Sequence, residues 1–210
     1  LFKIYSKFNF NVRSNKKIDI WHSTYPLPIT IKGAKKITTV HDLIPLRLPY
    51  LTLDDKSLFY NLVRKSLKDS DIIIAVSEHT KKDILLIFDC EPEKICVTHQ
   101  PIALSSTLEE ESKLPAILRR YNLTNKQYIL FVGAIEPKKN LGRLIDAYRI
   151  LAPDIPLVIV GKKGWLWESE LRNVDKPFTG NQQKNIRLLD YLSNQDLKYL
   201  YQGAYCFVFP

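Results

Sequence analysis

Along the chain, short runs of continuously apolar residues alternate with longer stretches whose apolar positions recur every three or four residues. IDIWHS (18–23) and KITTVHD (36–42) are β-rich, and DIIIAVS (71–77) is an apolar run of strand length, the pattern of a strand covered on both faces. LTLDDKSLFYNLVRKSLKDS (51–70) places Leu58, Phe59, Leu62, Val63 and Leu67 at helical spacing. Ser77 stands where it would cap a helix over EHTKKDILLIF, and KICVTHQP (94–101) reads as a strand stopped by proline. Such strand–helix–strand alternation predicts a parallel sheet.

A second series follows. YILFVGAI (128–135), PLVIVG (156–161), NIRLLDYL (185–192) and YCFVFP (205–210) predict strands. NLGRLIDAYRILA (140–152), GWLWESELRN (164–173) and SNQDLKYLYQGA (193–204) predict helices, the last opening with Ser193 and Asp196 in capping-box spacing. Residues 101–127 separate the two series. They carry two prolines, a Ser-Ser-Thr patch and three consecutive glutamates, with one short helix around 114–121, and read as a connection between domains. The expectation is an α/β chain with one domain over 1–100, a linker over 101–127 and a second domain over 128–210.

Composition narrows the class. Apolar residues make up 45% and charged residues 25%, which is globular and not disordered. No apolar run approaches the roughly 18 residues of a membrane-spanning helix. The absence of Met leads us to expect a processed or excised piece, and LFKIYSKFNFNVRSNKK has neither the apolar core nor the cleavage site of a signal peptide. Cys90, Cys96 and Cys206 are odd in number and lack metal-ligand spacing, which predicts reduced thiols and a cytoplasmic setting. The net charge of +9 is uneven: residues 1–69 carry +8 and residues 70–210 carry +1. Either an anionic partner for the first part or a solvated lysine-rich surface accounts for it.

The densest chemistry lies in YILFVGAIEPKKNLGRLIDAY. A strand ends at Gly133, a loop holds Glu136, Lys138 and Lys139, and Asn140 sits at the N-cap of an amphipathic helix. Backbone N–H groups, the positive end of a helix dipole and two ammonium groups then converge on one point, an anion site suited to phosphate. Neither GxxxxGK[ST] nor GxGxxG is present, and a lysine pair before a helix also fits a plain solvated loop.

VGAIEPKKNLGRLIDAY, followed by PLVIVGKKGW and NIRLLDYLSNQDLKYLYQGAYCFVFP and preceded by TTVHDLIPL, resembles the retaining GT-B glycosyltransferases of family 4, also called group 1. The four stretches occur in the family's order over residues 20–210. The resemblance implies two Rossmann-like domains facing across a cleft, both incomplete here. The N-terminal one would take the acceptor and the C-terminal one a nucleotide-diphosphate sugar. It places Lys139 at the lysine that holds the donor diphosphate and Lys138 at the arginine of the EPRKN subgroup, with charge kept and bidentate geometry lost. Ala134 stands where many members carry an arginine. Tyr191 and Leu192 match strand-end positions whose backbone meets the nucleobase. His41 matches the histidine that faces the transferred sugar; read alone, it is more readily a satisfied histidine at a strand end. Asp42 reads as a turn or capping residue, and His22, His79 and His99 as structural.

The resemblance further implies hexosyl transfer, mannosyl in the EPRKN subgroup, to a glycan or lipid-linked acceptor, with no metal and no other cofactor, since no His/Asp cluster is seen. The family's acidic E-x7-E motif would begin beyond Pro210, and an opening strand with a glycine-rich loop would precede IDIWHS. The expectation is therefore an inactive fragment. KSLFYNLVRKSLK (56–68), apolar on one face with Lys56, Arg64, Lys65 and Lys68 around the other, would either touch an anionic membrane or cover a sheet. Two rival readings are a non-catalytic nucleotide-binding module and a basic nucleic-acid-binding protein. The second finds no RNP-like string or zinc spacing to support it.

Overall fold

The continuous apolar runs become the strands of parallel sheets, with Leu157–Val160 buried at every residue, and the periodic stretches become helices laid over them. A computed structural model describes residues 10–101, 111–175 and 185–210. The chain divides into two units, Leu1–Ala103 and Leu104–Pro210.

In the first unit β1 (Phe10–Val12), β2 (Ile20–Ser23), β3 (Ile29–Ile31) and β4 (Lys35–Val40) precede the short helix α1 (Ile44–Arg47). Then come α2 (Lys56–Lys68), β5 (Ile72–Ala75), α3 (Glu78–Ile87) and β6 (Ile95–Val97). The main sheet runs β2-β4-β5-β6, and β1 pairs separately with β3. Every pairing is parallel, with Ile37 opposite Ile72 and Ile73 opposite Ile95. Helix α2 starts at Lys56 because the Asp55 carboxylate accepts the Leu58 N–H at 3.0 Å. Its Phe59, Val63 and Leu67 join Val40, Ile73, Ala75 and Ile84 in the core. The apolar face of α2 therefore covers the sheet and is not free to enter a lipid surface, while Arg64 and Lys68 stay in solvent. Ser77 caps α3, accepting the Thr80 N–H at 3.1 Å.

The segment between β2 and β3 is strapped down from beneath. Lys36 is only 3% exposed, and its Nζ donates to the Leu27 carbonyl at 3.2 Å, which also accepts from the Ser66 hydroxyl at 3.3 Å. Burial lowers the Lys36 pKa, with nearby Asp69 opposing.

The second unit contains α4 (Leu114–Arg120), β7 (Ile129–Val132), α5 (Leu141–Leu151), β8 (Leu157–Val160), α6 (Trp167–Leu171), β9 (Ile186–Leu189), α7 (Asn194–Gly203) and β10 (Cys206–Phe207). Its parallel sheet runs β10-β7-β8-β9. Alternate residues of one strand enter opposite layers, as the two-residue period requires. Val158 and Val160 pack with Leu130, Tyr199 and Leu200. Leu157 and Ile159 pack with Phe131, Leu141 and Ile145.

Two expectations change. Residues of the expected linker are structural: Ile117, Leu118 and Leu123 are buried with Tyr128 and Leu200. Tyr121 donates its hydroxyl to Asp196 at 2.6 Å, a bond that raises the Tyr121 pKa. The amphipathic turn at 114–120 thus belongs to the second unit. The Ser-Ser-Thr patch at 105–107 lies outside the described residues, as does the segment 1–9. The helix expected over 164–173 forms only at Trp167–Leu171. Gly164 is held in a loop by its N–H bond to Ile135 O at 3.0 Å, and Leu166 adopts a left-handed φ of 50°.

Candidate functional site

Ligands of open parallel sheets gather at the carboxyl ends of the strands, where the strand order reverses. In the second unit that reversal falls between β7 and β10, whose neighbours in sequence lie on opposite sides. The loops after β7 and β8 are tied to each other there. Gly133 N–H bonds Val160 O at 3.0 Å, Ile135 N–H bonds Lys162 O at 2.9 Å, and Gly161 N–H bonds Leu189 O at 3.2 Å. The approach is so close that a Cβ on Gly161 would sit 1.9 Å from Gly133 O, so only glycine fits.

On this scaffold Pro137–Lys139 form a 3-10 turn, and Asn140, at φ 57°, swings the chain into α5. Asparagine tolerates that left-handed backbone better than most residues. Asn140 does occupy the N-cap position, but its side chain makes no cap hydrogen bond. The N-terminus of α5 also differs from the open anion site read from sequence. Glu170 of α6 reaches it, and its Oε2 accepts the Gly142 N–H at 2.8 Å. Lys138 pairs with Glu136 Oε1 at 3.2 Å. Lys139 makes no ion pair among the described residues; its Nζ lies 4.9 Å from the centre of the Phe209 ring. Phe209 stacks on Phe131 at 5.9 Å and lies 3.5 Å from where a Gly133 Cβ would be. Lys139 is thus held at the reversal by an aromatic face, an attraction of about 0.5–1 kcal/mol at an exposed site that leaves its charge uncompensated.

Two further lysines share this edge, and the sequence reading gave them no role. Lys162 Nζ lies 4.8 Å from the Tyr191 ring centre, and Lys163 Nζ lies 3.9 Å from that of Trp167. Their signal was the Lys-Lys doublet directly after the β8 run and its glycine. Tyr191 is 67% exposed, whereas Leu192 packs partly against the core.

The first unit carries different chemistry at the equivalent edge. His41 follows β4, and its Nε2 lies 3.0 Å from Thr24 O. A carbonyl only accepts, so Nε2 donates. The His41 backbone carbonyl accepts the Thr80 hydroxyl at 3.0 Å, so the turn is pinned from both sides. Asp42 Oδ1 accepts the Ile44 N–H at 3.0 Å, a turn bond, while the N-cap position of α1 is Leu43. Tyr25 stands close by. Burial raises its pKa, and Asp54 and Asp42 add to the rise. The other histidines are tied into the fold: His22 to Thr39 Oγ1 at 2.8 Å, His79 to Asp83 at 3.6 Å and His99 to Val76 O at 3.3 Å. Among the described residues no group of three His, Cys, Asp or Glu side chains could hold a metal ion, and no helix is long and apolar enough to cross a membrane.

Two parallel α/β units with these strand-end sites define a class, the GT-B fold, and the solved structures agree. The chain superposes on HepE of Anabaena in complex with UDP-glucose with a TM-score of 0.66 at 13% identity, over 84% of this chain and 46% of that one. It superposes on TarM with a TM-score of 0.56 at 16% identity, over 85% and 32%. The family follows from the sequence. The model described as Glycosyltransferase Family 4 matches residues 2–106, half of the chain, and that described as Glycosyl transferases group 1 matches residues 115–210. The chain belongs to this glycosyltransferase family. It is 28% identical over 201 residues to O-antigen chain mannosyltransferase B of Escherichia coli, covering 91% of this chain and 50% of the relative. With O-antigen chain mannosyltransferase RfbU of Salmonella typhimurium it shares 27% over 198 residues, covering 93% and 50%. The chain spans about half the length of these curated relatives.

Proposed function

We propose that this chain serves a retaining glycosyltransferase that moves a hexosyl group, mannosyl by its likeness to the O-antigen enzymes, from a nucleotide-diphosphate sugar to a glycan or lipid-linked acceptor. The observation that carries this reading is Lys139, an ammonium without a carboxylate partner among the described residues, held on Phe209 at the sheet reversal. When the glycosidic bond to a diphosphate breaks, negative charge grows on the departing oxygens. A fixed cation beside them stabilises the transition state more than the ground state. Glu170 already holds the Gly142 N–H, so the lysine, more than the α5 terminus, supplies this stabilisation. Gly133 and the turn Pro137–Lys139 bring the backbone close enough for the diphosphate to lie against it. Lys138, tethered to Glu136, contributes less. Tyr191 and the backbone of Leu192 border the nucleobase. His41, with its ring oriented by Thr24 O, is the catalytic candidate of the first unit.

Purified protein is assayed for hydrolysis or transfer against a panel of UDP-, GDP- and ADP-hexoses. Release of nucleoside diphosphate from at least one donor, lost in Lys139→Ala, supports the reading. Binding without turnover of any donor would favour a nucleotide-binding module instead.

A further inference from the structure

Among the lysines of the second unit's carboxyl edge, Lys162 is placed where a diphosphate held at Lys139 leaves something else to be recognised. The loop after β7 and the end of β9 are two strands apart, or about 10 Å at the usual interstrand spacing. That span matches the reach of an extended nucleoside diphosphate from its phosphates to its base. At the far end stand Tyr191, largely exposed, and the Lys162 ammonium 4.8 Å from its ring centre.

The position of Lys162 is fixed on three sides. Its carbonyl accepts the Ile135 N–H at 2.9 Å, the Gly161 N–H before it bonds Leu189 O at 3.2 Å, and the Gly164 N–H after it bonds Ile135 O at 3.0 Å. Gly161 itself has no room for a side chain against Gly133 O. The lysine therefore projects from a backbone that cannot easily shift. The tyrosine ring restrains the ammonium without neutralising it, and Lys162 makes no ion pair among the described residues. An ammonium has three N–H donors and no acceptor. It suits a base edge rich in acceptors, such as O6 and N7 of guanine or a carbonyl of uracil, and it suits poorly the adenine edge, which presents an amino donor beside N7.

We propose that Lys162, oriented by Tyr191, is a specificity-determining residue that selects donors with a keto nucleobase, guanine or uracil, over adenine. The proposal rests on the donor-site reading given above and adds to it the class of base. Lys162 is solvent-exposed, so replacing it leaves the fold intact.

The test is equilibrium binding of GDP, UDP and ADP to the protein, to Lys162→Met, which keeps the length of the stem, and to Lys139→Ala. The expected result is that GDP or UDP binds about five- to tenfold tighter than ADP, the range for one added hydrogen bond to a base edge. In Lys162→Met that preference falls to about twofold or less while ADP affinity stays unchanged. A preference for GDP alone identifies guanine, and one for UDP alone identifies uracil. Equal binding of the three nucleotides by the unaltered protein, or equal weakening of all three by Lys162→Met, overturns the proposal while leaving the donor site standing. If Lys139→Ala leaves every affinity unchanged, or no nucleotide binds at all, the donor-site reading falls and this inference falls with it.

Discussion

The two units build parallel sheets of the same size and place different chemistry at their carboxyl edges. In the first, the described strands run in chain order, β2-β4-β5-β6, without a reversal. Its candidate residue, His41, is held by side-chain and backbone bonds to Thr24 and Thr80. In the second, the order reverses between β10 and β7, and lysines rest on aromatic rings around that point. The difference shows that a shared layer architecture does not dictate the site. The strand order decides where backbone can approach a ligand, and the loop residues decide its charge.

The largest effect is expected where backbone meets backbone. Gly161→Ala forces a methyl group to within 1.9 Å of Gly133 O, so it should destabilise the second unit by roughly 3 kcal/mol, the upper range for overpacking a fixed structure. Thermal unfolding read from a second-unit tryptophan checks this, and an unchanged midpoint would mean the two loops part without cost. Next comes the first unit's edge. In the active enzyme His41→Ala should lower kcat about a hundredfold while the donor KM stays near its original value. A rise in KM with kcat intact would place His41 in binding alone.

Cap removal tests whether the two units are separate bodies. Ser77→Ala and Ser193→Ala each delete a side-chain bond to a helix N-terminus, at 3.1 and 3.0 Å, and should each cost about 1 kcal/mol. In denaturant titrations followed by hydrogen exchange, each loss should appear in its own unit; a loss spread over both would join what the comparison separates. The smallest effect concerns Glu170. Glu170→Gln removes a negative charge from the α5 terminus and should tighten pyrophosphate binding by about 0.5 kcal/mol, as expected for one charge near a helix end. Weaker binding would instead make Glu170 a support of the loop.

What the sequence made legible follows from range. Strands β5, β7 and β8 were visible because each is a continuous apolar run, IIIA, ILFV and LVIV, although of the three only β8 is buried at every residue. The caps at Ser77 and Ser193 were visible because they act within three residues. The β1–β3 pair was not, since three-residue strands carry too little pattern. Helix α6 shrank because Gly164 answers to Ile135, 29 positions earlier, a partner that no local spacing reveals. The site divides in the same way. Lys139 and Asn140 could be placed from the strand–loop–helix string, but Glu170 at Gly142, Phe209 under Lys139 and Tyr191 under Lys162 come together only through the sheet.

The central claim is that Lys139 holds a nucleotide diphosphate at the reversal of the second sheet. Calorimetric titration of a nucleoside diphosphate into the protein and into Lys139→Ala tests it directly. The account predicts that the substitution weakens binding by about 1.5–3 kcal/mol, the range for a charge-assisted hydrogen bond. Equal affinity of the two proteins would contradict it.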